Sequence, residues 1–318
     1  MKNTLKTVLK GAAMGIAEVI PGVSGGTIAF ITGIYERLLD AIKMINPSLL
    51  KTWKKEGFRA VLVKMDAFFL MKLFGGMVLG FVVGLKVIVS LLESHPVHIW
   101  SFFFGLIIAS VPIVGKQVKK WGGLEIVMLV FGAALVYWIT IAGPSQGSEN
   151  LLIVFIAGIV GVSALMLPGL SGSFILLLMG MYTIIMPAIS AFLDHPFGPE
   201  TTMLVVFGLG LLVGLFSFAR LLSYTFKKYP NPTLALLTGF LIGSLNKVWP
   251  WQEVLSTRIN SKGEEVIKFS KSVLPETFSN LTNNFLYGNN AFLVQAIVVM
   301  VVAAVLVFLL DRFSPKEV

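Results

Sequence analysis

Six stretches of this chain stay apolar over about the length a helix needs to cross a bilayer, roughly 20 residues. They fall at 67–92, 97–114, 121–142, 201–226, 231–248 and 291–310. Two further apolar stretches, 5–42 and 151–190, are nearly twice that length, and Pro-Gly breaks each at its centre. Broken backbone at membrane depth survives only where protein or a water-filled cavity covers it. The two long stretches are therefore read as re-entrant hairpins, each of two half-helices meeting at a tip.

Composition agrees with lipid as the solvent. Of 318 residues, 56% are hydrophobic and only 13% charged, whereas a soluble domain carries roughly 25% charged residues. Cys is absent, which excludes disulfides, thiolate metal sites and a cysteine nucleophile. The net charge of +9 comes from cations that flank apolar segments and form no basic face. That pattern points to the anionic inner leaflet and gives no nucleic-acid partner. Lys10 and Glu18 interrupt the first apolar run and no clean cleavage site follows, so a cleaved signal peptide is not expected.

The two broken stretches are copies of each other. Pro21-Gly22-Val23-Ser24-Gly25-Gly26, followed by Ile28, Gly33 and Tyr35, matches Pro168-Gly169-Leu170-Ser171-Gly172-Ser173, followed by Ile175, Gly180 and Tyr182. The match resumes downstream at a shorter offset. Gly76, Gly80, Lys86, Pro96, Gly105 and Ser110 face Gly210, Gly214, Arg220, Pro230, Gly239 and Ser244. A basic insertion at 45–66 in the first copy accounts for the change of offset.

Parity then sets the topology. A re-entrant hairpin returns the chain to its starting side and three spans carry it across, so the second copy must be inverted. The expected fold is an all-α polytopic membrane protein of two inverted repeats, each a re-entrant helical hairpin plus three transmembrane helices. The first repeat covers 1–142. The second covers 151–318 and includes an outer loop at 249–290. Lys and Arg favour cytoplasmic loops. Lys2, Lys6 and Lys10 place the N-terminus inside, and the same side receives Lys51, Lys54, Lys55, Arg59, Lys116, Lys119, Lys120, Lys227, Lys228, Arg312 and Lys316. The short loops 93–98, 143–150 and 191–200 hold no Lys or Arg. The long loop 249–290 is the exception, with Arg258, Lys262, Lys268 and Lys271.

Inverted repeats with discontinuous helices meeting near the midplane are an architecture of secondary transporters. At the first tip Ser24 can cap the half-helix that follows, Gly25 and Gly26 let a ligand approach the backbone, and Thr27 is a further candidate phosphate-binding residue. Ser171, Gly172 and Ser173 repeat the arrangement. A half-helix starting inside the membrane presents N–H groups and a positive dipole end, which suit carboxylate or phosphate. The competing reading is a tightly packed kink with no ligand.

Charged residues inside apolar segments add candidates, because ionisable groups at membrane depth usually mark a pathway or proton site. Lys86 and Arg220 occupy matching repeat positions, toward the outer and inner faces respectively. Snorkelling to the headgroups is their alternative. Glu18 precedes the first tip, where the second copy has Leu165, and is a candidate for proton coupling. Glu36, Arg37 and Asp40 read as an ion-paired helix end at the cytoplasmic surface. His95, His98 and His195 read as solvated loop residues, and no metal site is expected. Trp53, Trp100, Trp121, Trp249 and Trp251 read as interfacial anchors. Segment 46–64 reads as an amphipathic helix on the inner surface. No Walker loop supports ATP-driven transport, and no cofactor is expected.

The strings GAAMGIAEVIPGVSGGTIAFITGIYERLLDAI and LMLPGLSGSFILLLMGMY resemble the paired signatures of the bacterial polyprenyl-phosphate transporters. The resemblance implies a multi-pass flippase of the cytoplasmic membrane. Its substrate would be undecaprenyl phosphate, moved from the outer to the inner leaflet to recycle the lipid carrier of cell-wall synthesis. Composition and repeats alone imply only a transporter, of an anion. Two rivals stay open. Undecaprenyl-pyrophosphate phosphatases also have re-entrant hairpins and a Pro-Gly-x-Ser loop, but there Arg follows the Ser, whereas Gly25 and Gly172 follow it here. The second rival is a small-anion or ion-coupled solute transporter. The coupling ion, the chain-length preference and the oligomeric state are not written in the sequence.

Overall fold

The computed structural model describes residues 2–19, 23–195, 198–259, 265–281 and 290–313. Pro21 and Gly22 of the first tip lie outside these residues, as do Lys262 and Lys316.

The chain begins with α1 (Lys2–Glu18), which stops at the first break. After the break comes α2 (Gly25–Ile31), only seven residues long, and then α3 (Tyr35–Met44). Gly33 makes the turn between them at a left-handed φ of 71°. Its amide donates to Phe30 O at 3.1 Å and the next amide, Ile34, to Ala29 O at 3.0 Å, a Schellman-type ending that glycine accommodates without strain. Two short basic helices follow, α4 (Ser48–Glu56) and α5 (Phe58–Lys64). Leu50, Trp53, Phe58 and Val63 are exposed on them beside the Lys and Arg residues, as an amphipathic surface segment requires. Three long helices complete this half: α6 (Ala67–Ser94), α7 (Pro96–Gly115) and α8 (Gly123–Ile141).

The second half opens with α9 (Leu151–Met166), α10 (Gly172–Leu178) and α11 (Tyr182–Asp194). Gly180, at φ 68°, ends α10 as Gly33 ends α2, with Gly180 N–H on Leu177 O at 3.0 Å and Met181 N–H on Leu176 O at 2.9 Å. The bend between α10 and α11 is 112°. Each expected hairpin is thus three helices instead of two, because its second arm turns again at the matching glycine. Then come α12 (Glu200–Lys228), α13 (Pro230–Ser244), β1 (Gln252–Ile259), β2 (Glu265–Ser272), α14 (Pro275–Ser279) and α15 (Leu293–Phe313).

Among the described residues, four helices are long and apolar enough to cross a membrane by themselves: α6, α7, α8 and α12. α13 has 15 residues and falls short of its expected span, while α15 runs for 21 residues from Leu293 to Phe313. Residues 245–248 of the expected span leave the helix in a turn. Ten of the 15 residues of α13 are buried, so protein surrounds much of it.

The largest helix interfaces are α1 on α6, α9 on α12, α8 on α13 and α7 on α15. Glycines permit the closest of them. A side chain at Gly76 would strike the Val8 carbonyl, and one at Gly80 the Ala12 carbonyl. Small residues of this kind let membrane helices approach backbone to backbone, where van der Waals packing is the main attraction.

The loop 249–290, unassigned from sequence, holds an antiparallel hairpin that pairs Gln252 with Ser272 and Ile259 with Glu265. Trp249 Nε1 donates to Val273 O and Trp251 Nε1 to Ala291 O, both at 2.8 Å. These two residues therefore fasten the hairpin, and Trp251 and Trp100 are buried, unlike the expected interfacial anchors. Trp53 and Trp121 are exposed as such anchors would be.

Candidate functional site

The two tips meet inside the helix bundle. Ser24 is fully buried, and its extended backbone starts α2. Its hydroxyl accepts from Gly26 N–H at 3.0 Å and donates across to Leu165 O at 2.9 Å. The Gly169 amide donates back to Thr27 Oγ1 at 2.9 Å, and Tyr35 Oη donates to Met166 O at 2.8 Å. Among the described residues, three hydrogen bonds therefore join the first tip to the second. They satisfy carbonyls and an amide that the second break would otherwise leave unpaired in an apolar interior. Around them pack Phe30, Tyr35 and Phe226, with ring centroids 5.1–6.3 Å apart.

The two tips differ in how they are capped. The amides of Gly25, Gly26 and Thr27 are all engaged. Gly25 N–H donates to Glu18 Oε1 at 2.6 Å, Gly26 N–H to the Ser24 hydroxyl, and Thr27 N–H to Ser24 O at 2.9 Å. The first tip thus already holds an acidic side chain, that of Glu18. At the other end of α2, Lys10 Nζ donates to Thr32 O at 2.6 Å, a cation at a helix C-terminus. In the second tip Ser171 starts α10 without a side-chain cap. Its hydroxyl instead shares a hydrogen bond with Ser173 Oγ at 2.9 Å.

Lys86 and Arg220 do not join this cluster. Both are exposed, on α6 and α12. Arg220 donates to Phe216 O at 3.2 Å and to Ile45 O at 3.4 Å. It lies at one end of a polar seam between α3 and α12. Asp40 in that seam accepts from Ser223 Oγ at 2.8 Å and pairs with Lys227 at 2.9 Å, while Lys43 Nζ donates to Ser223 Oγ at 3.1 Å. Burial opposes the charge on Asp40. Hydrogen bonds from Lys227 and Ser223, with the charges of Lys227 and Lys43, outweigh it and hold the carboxyl below the ordinary carboxylate range. Arg37 pairs with Asp66 at 2.7 Å, so the charged end of α3 is ion-paired, though with partners outside α3.

His95 and His98 stand 5.7 Å apart between ring centroids, and among the described residues no group of three potential ligands surrounds a metal position. One residue without a role in the sequence reading stands at the second tip. Lys247, just past α13, places its ammonium 4.5 Å from the centre of the Phe174 ring.

The family model described as undecaprenyl phosphate translocase-like matches residues 14–266. A polyprenyl-phosphate transporter of Vibrio cholerae serotype O1 is 43% identical over 314 residues, 99% of this chain and 98% of its own length. A polyprenyl-phosphate transporter of Staphylococcus aureus is 34% identical over 255 residues, 76% of this chain and 85% of its own. No solved structure matches the chain. The matched span takes in both tips and every helix from α2 to α13, and the chain belongs to the undecaprenyl phosphate translocase-like family.

Proposed function

We propose that this chain is a membrane transporter of polyprenyl phosphate. In this reading it moves undecaprenyl phosphate from the outer to the inner leaflet of the bacterial cytoplasmic membrane, recycling the carrier lipid of cell-wall synthesis with an ion gradient as the driving force. Both relatives are named as transporters of this lipid class, which favours transport over phosphatase chemistry. The observation that carries the mechanism is the contact between the two tips. Polar backbone gathered inside an otherwise apolar bundle gives a phosphate a passage while the isoprenoid tail stays in lipid.

The fold supports the inverted-repeat part of the reading. A helix, a short helix, a third helix and a long helix follow in the same order in each half, with α4 and α5 inserted before the long helix of the first. α1 packs on α6 as α9 packs on α12, and α8 packs on α13 as α15 packs on α7. The two termini and the 45–66 insertion are assigned to the cytoplasmic side.

Ser24, Gly25, Gly26, Thr27, Ser171, Gly172 and Ser173 are proposed to line the phosphate path. Exposed Lys86 and Arg220 suit a lipid that arrives sideways, its headgroup meeting Lys86 toward the outer face and Arg220 toward the inner face. Glu18 is proposed as the proton-coupling residue. As a carboxylate it occupies the Gly25 amide. Protonated, it holds that amide less strongly and yields it to the phosphate, because hydrogen bonds to charged acceptors are about twice as strong as neutral ones.

Purified protein in liposomes tests the reading. Labelled polyprenyl phosphate should redistribute between leaflets with no inorganic phosphate released. Phosphate release would identify a phosphatase, and uptake of a soluble anion without lipid movement would identify the small-anion transporter.

A further inference from the structure

The second tip holds a cation that the reading above leaves unused. Lys247 sits in the turn after α13, its amide donating to Ser244 O at 2.9 Å. The residue is half-buried, and its ammonium faces the Phe174 ring. Among the described residues no carboxylate and no hydrogen-bond acceptor meets that ammonium. Lysines elsewhere in the bundle are not left so: Lys10 holds Thr32 O, Lys43 holds Ser223 and Lys227 holds Asp40. A half-buried ammonium with only a ring face beside it is poorly compensated. An ionisable group at membrane depth ordinarily has a functional partner.

The surroundings show where that partner would stand. The turn carrying Lys247 covers the second tip, since a Cβ on Gly169 would come within 2.9 Å of Ser244 Oγ. Phe174 directly follows Ser173, whose hydroxyl bonds that of Ser171. The turn itself is held from several directions. Gln252 Nε2 donates to Lys247 O at 2.8 Å and to Trp249 O at 3.0 Å, and Ser270 Oγ in turn bonds Gln252 Oε1. Ser272 Oγ donates to Asn246 O at 2.9 Å, and Asn246 Nδ2 to Thr140 Oγ1 at 2.8 Å. Both strands of the hairpin therefore grip the backbone of one turn, leaving its lysine side chain unpaired among the described residues.

We propose that Lys247 is the cation that pairs with the substrate's terminal phosphate at the second tip. The Ser171 and Ser173 hydroxyls are further ligands, and β1 and β2 hold the turn in place. The proposal rests on the polyprenyl-phosphate reading. A lysine suits a phosphate that must arrive and depart, since it acts as a compact point charge and imposes no fixed fork geometry. The two tips are then unlike. The first carries an acid, Glu18, where the second has Leu165, and the second carries Lys247, where the Ser110–Ser244 match puts Ile113. On the assigned sidedness Lys247 lies toward the outer face, where the phosphate enters.

The test is flipping of labelled polyprenyl phosphate in proteoliposomes by the wild type, Lys247→Met, Lys247→Arg and Lys247→Cys. Lys247→Met should flip at least tenfold more slowly, with an unchanged melting temperature in detergent, and Lys247→Arg should keep at least a third of the rate. The chain has no native Cys, so an aminoethyl methanethiosulfonate can restore a positive charge at Lys247→Cys alone. Flipping should return with that reagent and not with a neutral methyl analogue, a rescue that a packing role would not give. Labelled phosphatidylglycerol in the same vesicles should stay in its leaflet; its movement at a comparable, Lys247-dependent rate would overturn the assignment to a terminal phosphate. Wild-type flipping with Lys247→Met at the same rate would overturn this inference alone. A wild type that moves no polyprenyl phosphate would overturn the transport reading and this inference with it.

Discussion

Thr27 and Gly169 lie 142 residues apart and share a buried hydrogen bond, the glycine amide donating to the threonine hydroxyl at 2.9 Å. Thr27→Val keeps the shape and removes the acceptor. A buried amide left without a partner costs about 1–3 kcal/mol. Thr27→Val should therefore melt several degrees lower in detergent, with Thr27→Ser close to wild type. Equal melting of all three proteins would show that the bond does not hold the tips together.

Glu18→Gln replaces the carboxylate on Gly25 with a neutral amide that can still accept the hydrogen bond. Binding of a short-chain polyprenyl phosphate should survive, while the pH dependence of flipping flattens. A pH profile superimposable on the wild type would remove Glu18 from coupling and leave it as a cap for α2.

Lys86→Ala and Arg220→Ala should each slow flipping by about tenfold, roughly 1.4 kcal/mol in barrier. Exposure keeps the expected loss below that for a fully desolvated charge pair. Arg220→Lys should recover part of the rate, because a lysine cannot reproduce the planar fork. Near-normal flipping by a folded double mutant would reduce both residues to membrane anchors.

Sidedness can be read with single cysteines in this Cys-free chain. Cys at Asn3 or Asn46 should resist an impermeant reagent applied outside intact cells, and Cys at Ser148 or Pro199 should react. Labelling at Asn46 from outside would reverse the assigned orientation.

The seam between α3 and α12 gives a pH prediction. The folded protein holds the Asp40 carboxyl below its ordinary value. Its contribution to stability is therefore fully present above the ordinary carboxylate range, and it is lost as pH falls through the depressed value. For so exposed a pair that contribution is small, about 0.5–1 kcal/mol. Asp40→Asn should lower the melting temperature slightly at neutral pH, and the difference should shrink in acid. A difference that grows in acid would contradict the pairing with Lys227.

Much of this arrangement was legible because hydrocarbon permits so few backbone solutions. An apolar run ending in Val23-Ser24-Gly25-Gly26 and repeated around Ser171 marks a break, and the Ser24 cap is where that pattern puts it. Gly33 and Gly180 were visible as matching residues, yet their left-handed turns were not, since nothing local distinguishes a packing glycine from a turning one. Glu18 stood out as a charge near a break, but nothing in its spacing told that its carboxyl would take the Gly25 amide. Lys247 is the single Lys within 231–248. It gives no signal until α13 ends early and the turn folds it over Phe174. The hairpin at 252–272 leaves no trace in hydropathy, because its strands mix polar and apolar residues.

The partnership of α8 with α13 bears on how the protein is made. Gly132 on α8 packs against Leu236, more than a hundred positions later in the chain. At about 5–20 residues per second, a ribosome needs roughly 5–20 s to supply that partner. Through that interval α8 must wait in the bilayer with its glycine face against lipid tails. The first half therefore does not complete its packing as it emerges, and assembly of this molecule is a late event that closes both halves together.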